Sequence, residues 1–360
     1  MSNAILAAEV LPLGETDRDA FSLATRLFTK RVVRDRFGVL NHSSPYKLSE
    51  VCEAVPTPLV GMAFSDIMDT VACEFLENYE RIAIAWSGGL DSTAIVTAFL
   101  RNLSDYGRLS VYCTESSITE APEFYKLLNA LGVHIVLDNR LLKTIGTAEC
   151  DIIVNGCGAD SFFGSIALRK APRLYYSPVH DGIREMWYVS NPISSIGKKS
   201  VNDIVELLDS YSKHLGLNVK YFCDIAWLFE FGCRITHGSE QLRMLLGGYP
   251  NSNKCESFFK HQLFSRWAIG NYEKARSVNP YLTPTHYKAE LRQYIYSYDK
   301  NENYYLSKGK MNSLLGVDCD LGFVNILTLD GVLHYKMPVG GEWLTFANNI
   351  VKQFRKDTLK

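Results

Sequence analysis

The spacing of apolar residues changes period several times along the chain. Short uninterrupted apolar runs at 81–86 (RIAIAW), 109–114 (LSVYCT), 133–137 (VHIVL) and 151–154 (DIIV) have the length and bounds of strands buried on both faces. Between them the spacing lengthens to three and four. The stretch TAIVTAFLRNL sets Ile95, Ala98 and Phe99 on one helical face, and 120–131 aligns Phe124, Leu127, Leu128 and Leu131 before Gly132 stops it. Ile67, Val71, Ala72, Phe75 and Leu76 predict a further helix over 65–79. This alternation predicts an α/β fold, a parallel sheet with right-handed crossovers and helices on its flanks. Ligands of such sheets sit beyond the carboxyl ends of the strands. The glycine-bearing segments 87–92 and 156–161 both leave strands at that end.

The second half has a different pattern. Helical spacing predicts helices over 200–216, 224–231, 239–246, 256–274 and 286–297, a mostly helical region. VNILTL and VLHYKM then flank Asp330-Gly331, a two-residue hairpin signal, and a last helix is expected over 342–354. Ahead of the first strand, 17–40 predicts a surface helix followed by a polar loop at 42–46. The expected division is an N-terminal extension (1–64), an α/β unit (65–200), a helical region (201–315) and a small hairpin-and-helix unit (316–360).

Composition narrows the function classes. Lys and Arg number 38 against 39 Asp and Glu, a net charge of -1. That balance argues against nucleic-acid binding by bulk electrostatics. No apolar run approaches the ~18 residues of a membrane span, and residues 1–13 carry Glu9 and no basic cluster, unlike a signal peptide. The nine cysteines are scattered, with no C-x-x-C pair. The expectation is a reduced, cytoplasmic chain without a disulfide framework or zinc ribbon.

Ser87-Gly88-Gly89-Leu90-Asp91-Ser92 is the string with chemical content. Two glycines after a buried strand let the backbone turn sharply and approach a ligand closely. A helix follows at once, so its first N–H groups lack partners and form a nest for phosphate. Ser87, Ser92 and Thr93 add hydroxyls. Asp91 at the mouth of the nest repels phosphate unless a cation lies between them, which points to Mg²⁺. A plain strand-to-helix turn with a capping Ser or Asp is the alternative; the full string after an apolar strand favours the anion site.

SGGLDS resembles the pyrophosphate-binding PP-loop of ATP pyrophosphatases, matching SGGxDS at every fixed position. Those enzymes cleave ATP between the α- and β-phosphates and activate an oxygen by adenylation. Asn155-Gly156-Cys157-Gly158-Ala159-Asp160-Ser161-Phe162-Phe163-Gly164 is similar to the GEGADELFGG-type segment of the asparagine synthetase and β-lactam synthetase group. The resemblance covers about residues 65–300, and SVNPYL at 277–282 with the following residue has Tyr281 and Thr283 where the group has Phe and Asp. It implies a PP-loop, HUP-like nucleotide-binding domain at 65–200 and ATP as co-substrate. Asp91 and Asp160 would share Mg²⁺, Gly156 and Gly158 would permit close approach, and backbone around Cys113 would line the adenine pocket. It also implies a catalytic lysine in the C-terminal helical region, for which Lys308 and Lys310 are the candidates, with Arg266 another possible anion contact.

The departures redirect the expectation. About 80 residues precede SGGLDS and residue 2 is Ser, so the family's glutaminase domain, with its N-terminal cysteine nucleophile, is not expected. Nitrogen would come from free ammonia, a separate glutaminase partner or an amine on a substrate. Cys157 and Ser161 replace the two glutamates of the GEGADE pattern, whose aspartate is kept as Asp160. The leading reading is an ATP-dependent amide-forming ligase that adenylates a small-molecule carboxylate and releases AMP and pyrophosphate. The alternatives are a PP-loop enzyme modifying a nucleobase or tRNA, weakened by the missing C-x-x-C pairs, and an inactive ATP-binding module.

Overall fold

The structure is a computed structural model that describes residues 20–28, 35–40, 53–190, 195–234, 246, 249–283, 285–308, 323–328 and 331–336. Lys310, the loop expected at 42–46, residues 239–245 of an expected helix and the last helix expected over 342–354 lie outside the described residues.

Five parallel strands form the central sheet: β1 (Ile82–Ala85), β2 (Leu109–Cys113), β3 (His134–Leu137), β4 (Ile152–Asn155) and β5 (Cys255–Ser257), in the order β3-β2-β1-β4-β5. The first four fall within a residue of the apolar runs that predicted them. β1 is central, with Ile82 opposite Leu109 on one side and Ile152 on the other. Both of its faces are covered, which explains why it is uniformly apolar. Successive strands run outward from β1 to β2 and β3, then the chain returns to add β4 on the other side. This reversal makes the carboxyl ends of β1 and β4 the switch point, where doubly wound sheets take ligands in a crevice.

α2 (Phe64–Asn78) and α3 (Leu90–Asn102) cover one face of the sheet together with α12 (Ala289–Asp299). Every residue from Ser92 to Leu100 is buried, not only the stripe of Ile95, Ala98 and Phe99. A helix packed by neighbours on several sides is apolar nearly all round. A ladder of aromatic rings continues this core: Phe75 stacks on Phe258 at 5.8 Å, and Phe162 stacks on Phe264 at 5.9 Å.

Two expected helices have different bounds. The helix expected over 120–131 is α5 (Pro122–Ala130), which starts two residues later because a separate α4 (Glu115–Glu120) ends just before it. Pro122 lacks an N–H and pushes Ala121 out of the helical region, to φ -143 and ψ 66. The segment 256–274 is β5, a tight turn, α10 (Gln262–Gly270) and α11 (Tyr272–Arg276). β5 pairs with β4 through Ile153–Cys255 and Asn155–Ser257. The region expected to be helical thus supplies the fifth strand, because a three-residue strand running into Phe258-Phe259 has no period-2 signature of its own.

A second core cluster joins α1 (Ala20–Phe28) to α7 (Val179–Ser190), α8 (Lys198–Leu215) and α9 (Phe222–Phe229). α1, expected at the surface, buries Phe21, Leu23, Ala24, Leu27 and Phe28, and Phe28 stacks on Phe222 and Phe229. The remaining two strands, β6 (Phe323–Thr328) and β7 (Gly331–Lys336), form the expected antiparallel hairpin. Gly331 pairs with Thr328 and so belongs to the strand instead of the turn.

Asp138 follows β3 on the same rim. It accepts from the Arg140 N–H at 2.8 Å and the Thr144 hydroxyl at 2.7 Å. The Arg140 amide first, then Thr144 and the Arg140 guanidinium, hold its carboxyl down at about 2. A carboxyl lowered on folding stabilises above its unfolded pKa of about 3.9 and loses that contribution as pH falls through 2. Urea midpoints of the wild type should therefore drop more steeply between pH 4 and about pH 2 than those of Asp138→Asn.

Candidate active site

β1 ends at Ala85, and Ser87 to Ser92 turn directly into α3. Gly88 takes φ +76, and a Cβ there would lie 2.4 Å from the Ser117 carbonyl and 2.9 Å from Glu120 Cβ. Only glycine lets this loop pack against α4. Gly89 is the N-cap of α3 and offers no side-chain cap, and the first turn of a helix carries N–H groups with no partner inside the helix. Ser87 and Ser92 brace one another with their hydroxyls 3.0 Å apart, and the Ser92 hydroxyl also takes the Ser87 N–H at 3.0 Å. Thr93 does not join them. It is fully buried, its hydroxyl takes the Trp86 indole N–H at 3.0 Å and lies 3.2 Å from the Tyr304 phenol, and its amide donates to Gly89. Burial commits both groups to holding the loop, which corrects the expectation that Thr93 holds phosphate.

The loop after β4 lies against the first. A Cβ on Gly156 would come 3.1 Å from Asp91 Cβ and 3.2 Å from the Ser92 amide nitrogen, so the bare glycine permits this contact. Asn155 anchors the loop from below by donating to the Glu256 carbonyl of β5 at 3.0 Å and accepting the Cys157 N–H at 2.9 Å. Gly158 heads a short turn, Ala159–Phe162, that carries Asp160. Ser161 is buried and Cys157 half-buried, its carbonyl accepting from Ser257 at 2.5 Å. Cys113, at the end of β2, is fully buried, and burial pushes its thiol up to about 11.

Asp91 and Asp160 meet on one ammonium. Lys288 Nζ lies 2.6 Å from Asp91 Oδ2 and 2.7 Å from Asp160 Oδ1, and Tyr287 donates its phenol to Asp160. Lys288 is 3% exposed. Burial alone would lower its pKa, but Asp160 and Asp91 outweigh burial and leave it raised, so the side chain is a cation. Its backbone is in the left-handed region, φ 56, as the N-cap of α12. A non-glycine residue held there is costly and is maintained by its surroundings.

A second buried ion pair stands beside the first loop. Lys308 reaches Glu120 Oε1 at 2.5 Å, with both side chains under a tenth exposed. Tyr304, on α13 (Glu302–Ser307), donates to the Gly88 carbonyl at 3.0 Å. The two lysine segments share one support. Arg292 on α12 is nearly fully buried and donates to the carbonyls of Tyr287 at 3.0 Å, Tyr305 at 2.8 Å and Lys308. Arg266, in contrast, donates to the Thr57 carbonyl and takes no part in this site.

The structure therefore brings together Ser87, Gly88, Gly89, Asp91, Ser92, Gly156, Gly158, Asp160 and Lys308. Lys288, Glu120 and Arg292 complete the site. Sequence reasoning missed Lys288, which lies 197 residues from Asp91. Its only local mark is a basic residue immediately before a helix. Among the described residues no group of three or more His, Cys, Asp or Glu converges as a metal cluster. The Asp91–Asp160 pair nonetheless fits a hard divalent ion: two carboxylates already share one cation, and Mg²⁺ characteristically takes one or two carboxylates and fills its shell with phosphate oxygens and water. No family model matches the chain, and a search of curated proteins finds none similar to it.

Arg292→Met leaves three carbonyls without their donor. Each unpaired buried acceptor costs about 1–3 kcal/mol, so a loss of at least about 3 kcal/mol in urea unfolding is expected. Arg292→Lys, with no fork to span the carbonyls, should recover only a fraction of it.

Proposed function

We propose that the protein is an ATP-dependent ligase. It transfers AMP to a carboxylate and lets an amine or ammonia displace AMP, forming an amide and releasing pyrophosphate. One observation carries this reading: the carboxylates of Asp91 and Asp160, on loops that leave adjacent strands, converge beside the N-terminus of α3.

In this reading the α3 amides with Ser87 and Ser92 hold the polyphosphate, and Gly88 and Gly156 keep side chains out of its path. Asp91 and Asp160 would hold Mg²⁺, which when bound screens the phosphates from the carboxylates and stabilises leaving pyrophosphate. Attack of the acceptor oxygen on the α-phosphorus builds negative charge there, and a positioned cation lowers that barrier. Lys308 and Lys288 are the two ammonium groups available for it among the described residues of the site. Lys308 is held by Glu120 until a stronger anion competes. The amine donor is free ammonia, a second substrate or the product of a separate glutaminase.

Residues 20–28, 53–190 and the other described segments contain no helix long and apolar enough to cross a membrane. Among the described residues no cysteine forms a disulfide. The replacement of two acidic residues by Cys157 and Ser161 favours, as a second reading, a module that binds ATP without turnover.

Pyrophosphate release from ATP and Mg²⁺, measured across pooled carboxylates and amines, separates the two. The ligase predicts acceptor-dependent release that falls roughly 100-fold or more in Asp91→Asn. Tight ATP binding with no pyrophosphate from any pool would leave only the binding module.

A further inference from the structure

Two carboxylates that share one ammonium present a site already filled by a cation. A Mg²⁺ bound to both would sit about 2.0–2.1 Å from each oxygen, in the space that Lys288 Nζ now holds at 2.6 and 2.7 Å from Asp91 and Asp160. Two cations cannot share that point. Nor can Lys288 simply withdraw. It is 3% exposed, its backbone is set at φ 56, and its segment is held through the Tyr287 carbonyl by Arg292. An ammonium stripped of its carboxylates and kept from water needs another anion. The N-terminus of α3, which carries Asp91 itself, is a place that favours one.

We infer that Lys288 is the resident cation of the nucleotide-free site, that it excludes a divalent ion from the Asp91–Asp160 pair, and that it releases the pair only when a polyphosphate arrives to receive it. Metal and polyphosphate then bind together, each strengthening the other, as linkage requires. The exclusion rests on this geometry alone; the identity of the releasing anion rests on the proposed ATP chemistry. Lys288 is thereby a metal-gating residue that keeps two loops joined before the substrate is present.

The full chain is titrated with Mn²⁺ as the probe, following loss of the free-ion electron paramagnetic resonance signal. Without nucleotide the wild type should bind Mn²⁺ weakly, and Lys288→Met should bind one Mn²⁺ at least about tenfold more tightly. Asp91→Asn placed in the Lys288→Met background should abolish that gain, and Lys288→Arg, which keeps the charge, should stay weak. Circular dichroism checks that each variant is folded. Wild type that binds Mn²⁺ as tightly as Lys288→Met, or a folded Lys288→Met without gain, overturns the proposal. If Lys288→Met does not fold, the wild type decides: Mn²⁺ affinity that is the same with and without α,β-methylene-ATP overturns it. A gain in Lys288→Met combined with no binding of α,β-methylene-ATP under any condition upholds the exclusion and overturns the polyphosphate half with the ATP reading.

Discussion

Where two glycine loops touch at the rim of this sheet, a buried ammonium bridges their carboxylates. Gly156 leaves no side chain between the loops, so Asp91 and Asp160 come close enough to share the Lys288 ammonium. Like charges in a dry crevice repel strongly, and Lys288 converts that repulsion into a bridge. Removing one member of such a buried network typically costs about 3–5 kcal/mol, far more than an exposed pair contributes. The cation therefore holds the structure together before it is a catalytic option.

The same crevice is ordered from the C-terminal side. α12 and α13 pack beside α3, and Arg292 gathers the carbonyls of both lysine-bearing segments onto one guanidinium. Tyr304 ties α13 to the Gly88 carbonyl. The first glycine loop, the ammonium that bridges to the second, and the Lys308–Glu120 pair are thus one connected assembly. Its charge is nearly balanced internally, with Asp91, Asp160 and Glu120 facing Lys288 and Lys308. Glu120 keeps one oxygen buried without a partner, so part of that balance is left incomplete. An anion entering the crevice would draw on the two ammonium groups at the expense of the carboxylates they now hold.

Much of this was legible one segment at a time. The four apolar runs of the sheet, the sharp turn at Gly88-Gly89 and the helix start after it are local properties. They place Asp91 and Asp160 on one rim as soon as their strands are taken to be neighbours. β5 was hidden, because Cys255–Ser257 is too short to alternate and runs into aromatic residues that fit a helix equally well. Thr93 was misplaced for the opposite reason: a hydroxyl next to a phosphate-type loop reads as a ligand, and only the packing of Trp86 and Tyr304 around it shows where it points.

The sequence by itself determined a parallel α/β sheet and two glycine turns at its carboxyl edge, because burial on both faces and backbone freedom are written in consecutive residues. Only the tertiary structure decided which cation holds those turns together. Lys288 and Lys308 are both lysines near short helices, and no local pattern distinguishes the one that bridges Asp91 and Asp160 from the one that pairs with Glu120. That choice depends on which ammonium is desolvated against which carboxylates, a property of distance and burial across chain segments far apart in sequence.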